Sequence, residues 1–373
     1  MVGKRVLLAC LIAIFIFDGS LLADSDGWVI RQITNSGYIA ASSYNPWDYD
    51  YSSDMAVSGK NIVWIELNKR IMFSDGSAVR QIASSDNFFL SVQVSGNNVV
   101  WQEYIDYTLQ IFLWDGNVIK QISSGTNDCY APCVSGKNVV WLEYSNDASQ
   151  VMFWDGSTAR QISDGTGSCA RARISGSNVA WIQEAESGEQ IMFWDGGAVR
   201  QIASISYYSE VQICGTNVVW VGNDGQIILW DGQTTRQISN GSARNGNPKI
   251  SGKNIVWLVR EDDSSGLREW QQVMLWNGKS VRQLTFNLKR KDGLSVSDNN
   301  IVWVEHPSDA PYQNLSLIYY WDGKAAAMVA DMPGRYIPYL SGANVVFKAL
   351  DENYDYQIFS AYRHSKSDSN RNK

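Results

Sequence analysis

The stretch SGKNIVW, from Ser58 to Trp64, sets a small polar turn directly before an apolar run that ends in an aromatic ring. It returns as SGNNVVW ending at Trp101, SGKNVVW at Trp141, SGSNVAW at Trp181, CGTNVVW at Trp220, SGKNIVW at Trp257, SDNNIVW at Trp303 and SGANVVF at Phe347, at steps of 37 to 46 residues. A unit of that length cannot bury its own apolar face and has to stack on neighbours. About forty residues of strand and turn suit one blade of a β-propeller. Because the array fills almost all of the 373 residues, the chain reads as one domain.

One unit shows how a blade is written. Ser91 to Val94 reads as a short strand, Gly96-Asn97-Asn98 turns it, and Val99 to Tyr104 forms a second strand. Leu109 to Trp114 is the third strand, Asp115-Gly116 makes a hairpin, and Val118 to Ile122 closes the blade. Gly, Asn and Asp tolerate positive φ in tight hairpins, and the β-branched and aromatic runs between them favour pleated surfaces. The third-strand signature recurs as FSDG at Phe73, LWDG at Leu113, FWDG at Phe153 and Phe193, LWDG at Leu229, LWNG at Leu275 and YWDG at Tyr320. A closing Arg-Gln-Ile recurs at Arg80, Arg160, Arg200 and Arg236, with variants at Lys120 and Arg282. One copy, Arg31-Gln32-Ile33, precedes the first unit, and the last unit lacks a closing strand. The expectation is therefore an all-β, eight-bladed propeller of four-stranded antiparallel blades over residues 24–364. Its eighth blade combines 337–362 with 28–33, and 365–373 form a polar disordered tail.

These units resemble those of TolB-type, WD40-like propellers, whose blades carry a Ser-(Pro-Asp)-Gly turn, an apolar-aromatic strand, an Ile-Tyr/Phe strand and a Leu/Ile-Thr close. The resemblance covers roughly residues 28–362. It implies the same ring architecture, although this chain writes Ser-Gly-Lys-Asn where that family has Pro-Asp. The Trp-Asp-Gly turn also resembles that of sugar-binding tachylectin-like propellers.

Charged residues are sparse, at 18%, while Trp and Tyr number 16 and 18, a profile of a β-rich extracellular chain. The formal charge of −7 argues against nucleic acid or anionic lipid as a partner. Lys4 and Arg5, an apolar run from Val6 to Phe17, and Ser20-Leu21-Leu22-Ala23 have the layout of a secretory signal covering residues 1–23. No later segment is apolar enough to span a membrane. The expected product is a secreted, periplasmic or cell-surface monomer with no cofactor.

The phrase tryptophans occupy one fixed place per blade and read as packing between blades, and the Arg-Gln-Ile arginines as solvated edge protection. Candidate binding groups fall instead on the face formed by the second-to-third-strand loops and the connections between blades. There Trp47, Tyr49, Tyr51, Phe88, Tyr130 and Tyr208 are expected as apolar contacts. Glu66, Glu103, Glu143 and Glu305, each two residues beyond a blade tryptophan, are expected as polar or cation-holding groups. With only His306 and His364 available, neither a Ser-His-Asp triad nor a multi-histidine metal site assembles readily. Cys129, Cys133, Cys169 and Cys214 allow three disulfide connectivities; Cys129 with Cys169, equivalent points of adjacent blades, is the favoured pair, and Cys214 reads as a buried free thiol. The resulting expectation is a non-catalytic binding or scaffold propeller for a protein or glycan partner. The alternative is a lyase or glycosidase acting on polysaccharide through mouth carboxylates.

Overall fold

The computed structural model describes residues 21–23, 27–35, 53–206, 209–241, 244–262, 269–307, 315–333, 337–351, 353 and 355–363. Among them lie eight antiparallel sheets, seven of four strands and one of five. Blade 2 runs Phe89–Ser95, Asn98–Ile105, Thr108–Trp114 and Ile119–Gln121, and blade 3 runs Asp128–Ser135, Asn138–Ser145, Ala148–Trp154 and Ala159–Gln161. Blade 8 takes Tyr339–Ser341, Asn344–Leu350 and Tyr356–Arg363 from the far end of the chain and Trp28–Gln32 from the near end. The eight-bladed ring is thus closed by the N-terminal strand, as its stray Arg-Gln-Ile indicates.

A repeated hydrogen-bond device confirms that assignment. In blade 3 the hydroxyl of Ser163, just after Arg160-Gln161-Ile162, donates to Gln150 Oε1 at 2.7 Å and accepts from the Val151 N–H at 3.0 Å. Ser123, Ser239 and Thr285 do the same in blades 2, 5 and 6. In blade 8 the partners are Thr34 and Gln357, 323 residues apart, at 2.7 Å, with the Ile358 N–H donating to Thr34 at 3.0 Å. Leu21–Ala23 adds a fifth strand outside Trp28–Gln32.

Each phrase strand is buried on both faces, which is why it reads as a continuous apolar run instead of an alternating one. In blade 1, Ile62 and Trp64 pack with Val346 and Ile358 of blade 8, whereas Val63 and Ile65 pack with Val92, Val99 and Trp101 of blade 2. All eight phrase aromatics are buried in such seams. The arginines are not merely solvated. Arg80 lies over the rings of Phe73 and of Trp114 in the next blade, and Arg160 repeats this over Phe153 and Trp194, at 5.2 to 5.5 Å. Their stems cover the outer end of each seam while the guanidinium keeps contact with water.

The Ser-Gly-x-Asn turn is itself a joint. Ser58 Oγ accepts from the Gly96 N–H, Ser95 from Gly136, Ser135 from Gly176 and Ser175 from Gly215. Cys214 Sγ accepts from Gly252 at 3.1 Å, Ser251 from Asp298, Ser297 from Gly342 and Ser341 from Gly59, which returns the belt to blade 1. The phrase asparagines add a second tie, as when Asn138 Nδ2 donates to the Gly176 carbonyl at 2.9 Å and Asn344 Nδ2 to Gly59 at 3.2 Å. Cys214 is half-buried in this belt, where the sequence reading had it buried.

Candidate binding face

Second-to-third-strand hairpins and blade-to-blade connections share the face opposite the belt. On it, the four glutamates are each engaged by neighbouring side chains. Residues two apart on a strand share a face, so a glutamate two beyond the phrase tryptophan follows that ring into the seam. Glu103 accepts from the Trp101 indole N–H at 3.5 Å. In blade 4, Gln183 stands at the same position and accepts from Trp181 at 3.1 Å. Glu66 is buried and bridged to Arg70 at 2.7 Å. Half-buried Glu143 accepts from Asn127 Nδ2 at 3.0 Å and from the Cys129 thiol at 3.7 Å.

Glu305 sits among several polar partners. It accepts from Trp303 and Asn287 and lies 3.6 Å from Lys289 and 3.9 Å from Lys291, whose side chain is fully buried. Burial pushes the Lys291 ammonium down to about 8, against the pull of Glu305. His306 is held by Asp292 at 2.9 Å. Among the described residues no cluster of three or more His, Cys, Asp or Glu is placed to hold a metal ion.

The expected Cys129–Cys169 bridge is corrected by the structure: both are buried free thiols. Cys129 packs in the seam between blades 2 and 3, and Cys169 in the seam between blades 3 and 4. Equivalent positions of a ring point the same way round it, so a full blade separates the two sulfurs. Burial raises both thiols to about 12.

Of the predicted aromatics, Trp47, Tyr49, Tyr51 and Tyr208 lie outside the described residues. Phe88 is exposed, with the Lys69 ammonium 4.4 Å above its ring. Tyr130 is half-buried and its hydroxyl is bonded to that of Ser149. The structure adds three residues that the sequence reading passed over, namely Tyr104, Tyr107 and Tyr144, all exposed. Tyr104 and Tyr144 end the second strands of adjacent blades, directly after the seam glutamates. Tyr107 is 99% exposed at the tip of a two-residue hairpin. Both central residues of that hairpin have positive φ, 48° at Asp106 and 69° at Tyr107, a turn in which Asn and Gly are favoured. Blade 3 has Asn146-Asp147 at the same place.

No protein-family model matches the chain, and no curated protein matches it. Solved structures do, at low identity. The β-propeller domain of the Trilobed protease from Pyrococcus furiosus aligns over 75% of this chain and 97% of its own, at 14% identity and a TM-score of 0.52. A prolyl endopeptidase aligns over 85% of this chain at 12% identity and a TM-score of 0.55, and there the chain spans 55% of that enzyme's length. A TolB-like protein of Agrobacterium tumefaciens aligns over 66% of this chain at 16% identity, with a TM-score of 0.38. The chain spans about half the length of most of the peptidases it matches. The first two of these likenesses establish the propeller fold alone.

Proposed function

We propose that this chain is an exported, non-catalytic binding or scaffold propeller of the TolB-like kind, which recognises a protein or glycan partner through the hairpin face of blades 1 to 3. The observation that carries this reading is Tyr107. A bulky ring at 99% exposure, on a backbone conformation costing a non-glycine residue roughly 1–2 kcal/mol, serves nothing in the fold. Leu67, Phe88, Tyr104 and Tyr144 are exposed on the same face. Rigid blades let such loop residues vary without cost to the core, and exposed aromatics supply contact area at low entropic cost. The carboxylates that a glycosidase would draw on, Glu66, Glu103 and Glu305, are instead buried in seams and paired. The test is to probe glycan and peptide arrays with the purified chain while assaying the same ligands for new reducing ends, unsaturated sugars or cleaved peptides. Binding without turnover is expected. Turnover of any ligand would overturn the proposal.

A further inference from the structure

Seven blades leave their third strand through the same tight turn, and one of the seven carries an amide where the others carry a carboxylate. The turn reads Asp-Gly at Asp75, Asp115, Asp155, Asp195, Asp231 and Asp322, and Asn-Gly at Asn277. In all seven, Oδ1 of that residue accepts from the backbone N–H groups two and three residues on. For Asn277 the donors are Lys279 and Ser280, both at 3.0 Å. Five of the aspartates also use Oδ2 to pair with a cation, namely Lys120, Arg160, Arg200, Arg236 and Arg363. Arg282 follows Asn277 at the same interval as Arg160 follows Asp155, and lies over the Trp321 ring. There a neutral amide stands where the other blades have a paired carboxylate oxygen. We propose that Asn277 is a site of spontaneous deamidation, with water as co-reactant, and that the fold retains the resulting aspartate as the seventh member of this set.

The Gly278 nitrogen, once it has lost its proton, attacks Asn277 Cγ; the new C–N bond closes a succinimide and the side-chain nitrogen leaves as ammonia. Water then opens the ring. Breaking the Cγ–N bond gives aspartate, and breaking the bond from the main-chain carbonyl gives isoaspartate. Asn277 is exposed to that water, and glycine sets no side chain beside the attacking nitrogen. The Lys279 and Ser280 N–H groups aim at Oδ1, the oxygen on which negative charge collects during attack at Cγ. Kept on that oxygen in the ring, they also polarise Cγ for water and so direct opening towards aspartate. The product gains charge-assisted caps and Arg282 as a partner. At the equivalent Asp115 the Val118 N–H and the Lys120 ammonium hold the carboxyl down to about 2. The other two Asn-Gly dipeptides differ. Asn240 is exposed but lies outside these capped turns. Asn245 is buried in a strand, its Nδ2 donating to the Gly225 carbonyl and its Oδ1 accepting from the Trp257 indole, each at 2.9 Å.

The test is a time course of the purified chain at mildly alkaline pH in heavy-oxygen water, folded and in urea, read by peptide mapping with mass spectrometry that separates aspartate from isoaspartate. In the folded chain the Asn277 peptide should take up one heavy oxygen, with aspartate exceeding isoaspartate several-fold, while the Asn245 peptide stays unchanged. In urea, where the caps are gone, both peptides should convert and isoaspartate should predominate. Separately, Asn277→Asp should melt at a higher temperature than the unconverted parent, and that gain should shrink in an Arg282→Ala background. An Asn277 peptide that stays unconverted in the folded chain while the urea sample converts, a folded chain that yields mainly isoaspartate, or an Asn277→Asp melt no higher than the parent's would each overturn the proposal.

Discussion

Replacing Trp28 by alanine should unlatch the ring, and the structure sets the scale of the loss. The ring is fully buried between blades 7 and 8, edge-on to Tyr320 at 4.9 Å and beneath Arg363, among Ile30, Ile318, Phe347 and Phe359. A large aromatic buries about 150–250 Å². Truncation to alanine keeps about a quarter of that, so roughly 110–190 Å² of apolar burial is lost. At about 25 cal/mol per Å² this is roughly 3–5 kcal/mol. The edge-to-face contact adds about 0.5–1.5 kcal/mol. Its indole nitrogen has no hydrogen-bond partner among the described residues, so no hydrogen bond is lost with it. A loss of about 3.5–6.5 kcal/mol is expected, against under about 0.5 kcal/mol for Arg31→Ala, exposed on the same strand. Urea unfolding followed by circular dichroism measures both, as a lower midpoint at unchanged slope. A Trp28→Ala midpoint matching that of Arg31→Ala would refute closure by this strand.

Glu305→Ala should cost about 3 kcal/mol by leaving the buried Lys291 ammonium with only its neutral partners at Asn287 and Lys289, and adding Lys291→Met should recover most of it in a urea-denaturation double-mutant cycle. Because the folded chain releases the Lys291 proton near pH 8 while the unfolded chain holds it to about 10.5, stability should rise with pH from about 8; Lys291→Met should flatten that rise. Above pH 9 the buried thiols act oppositely. Their folded values near 12 exceed the unfolded 9.0, so stability falls as pH rises, a fall that Cys129→Ala with Cys169→Ala should reduce in the same titration. Both thiols should resist iodoacetamide in the folded chain and react on unfolding without reductant, whereas a disulfide would stay unreactive in both. Tyr107→Gly should raise stability by up to about 1 kcal/mol by thermal melt, since glycine accepts the positive φ that tyrosine resists.

The ring was legible because its seams repeat. Each phrase residue has the same neighbour eight times over, so periodicity alone assigns Trp64 or Trp141 to packing, and the misplaced Arg31-Gln32-Ile33 reveals the closure. Directions within a repeat were harder to read. Glu66 and Glu305 stand at loop mouths in the linear order, yet their two-residue offset from Trp64 and Trp303 turns them into the seam. Likewise Cys129 and Cys169 are equivalent in sequence, and that equivalence is what holds them a blade apart. Tyr104 and Tyr144 are less legible because they lie inside the strand pattern, one residue past Glu103 and Glu143. Their exposure depends on how far each strand outruns its neighbours, which the phrase does not encode. The bond from the Leu109 N–H to Asp128 Oδ1 joins two blades and has no signature in the sequence.

The most direct measurement of the central functional claim is an array profile of the parent chain beside two variants of matched stability. One carries Tyr104→Ala with Tyr144→Ala on the hairpin face. The other carries Lys60→Ala with Lys137→Ala on the exposed Ser-Gly-Asn turns. The first should erase the parent's binding signals and the second should leave them intact. Signals that survive the tyrosine substitutions and vanish with the lysine substitutions would place recognition on the opposite face and contradict the account.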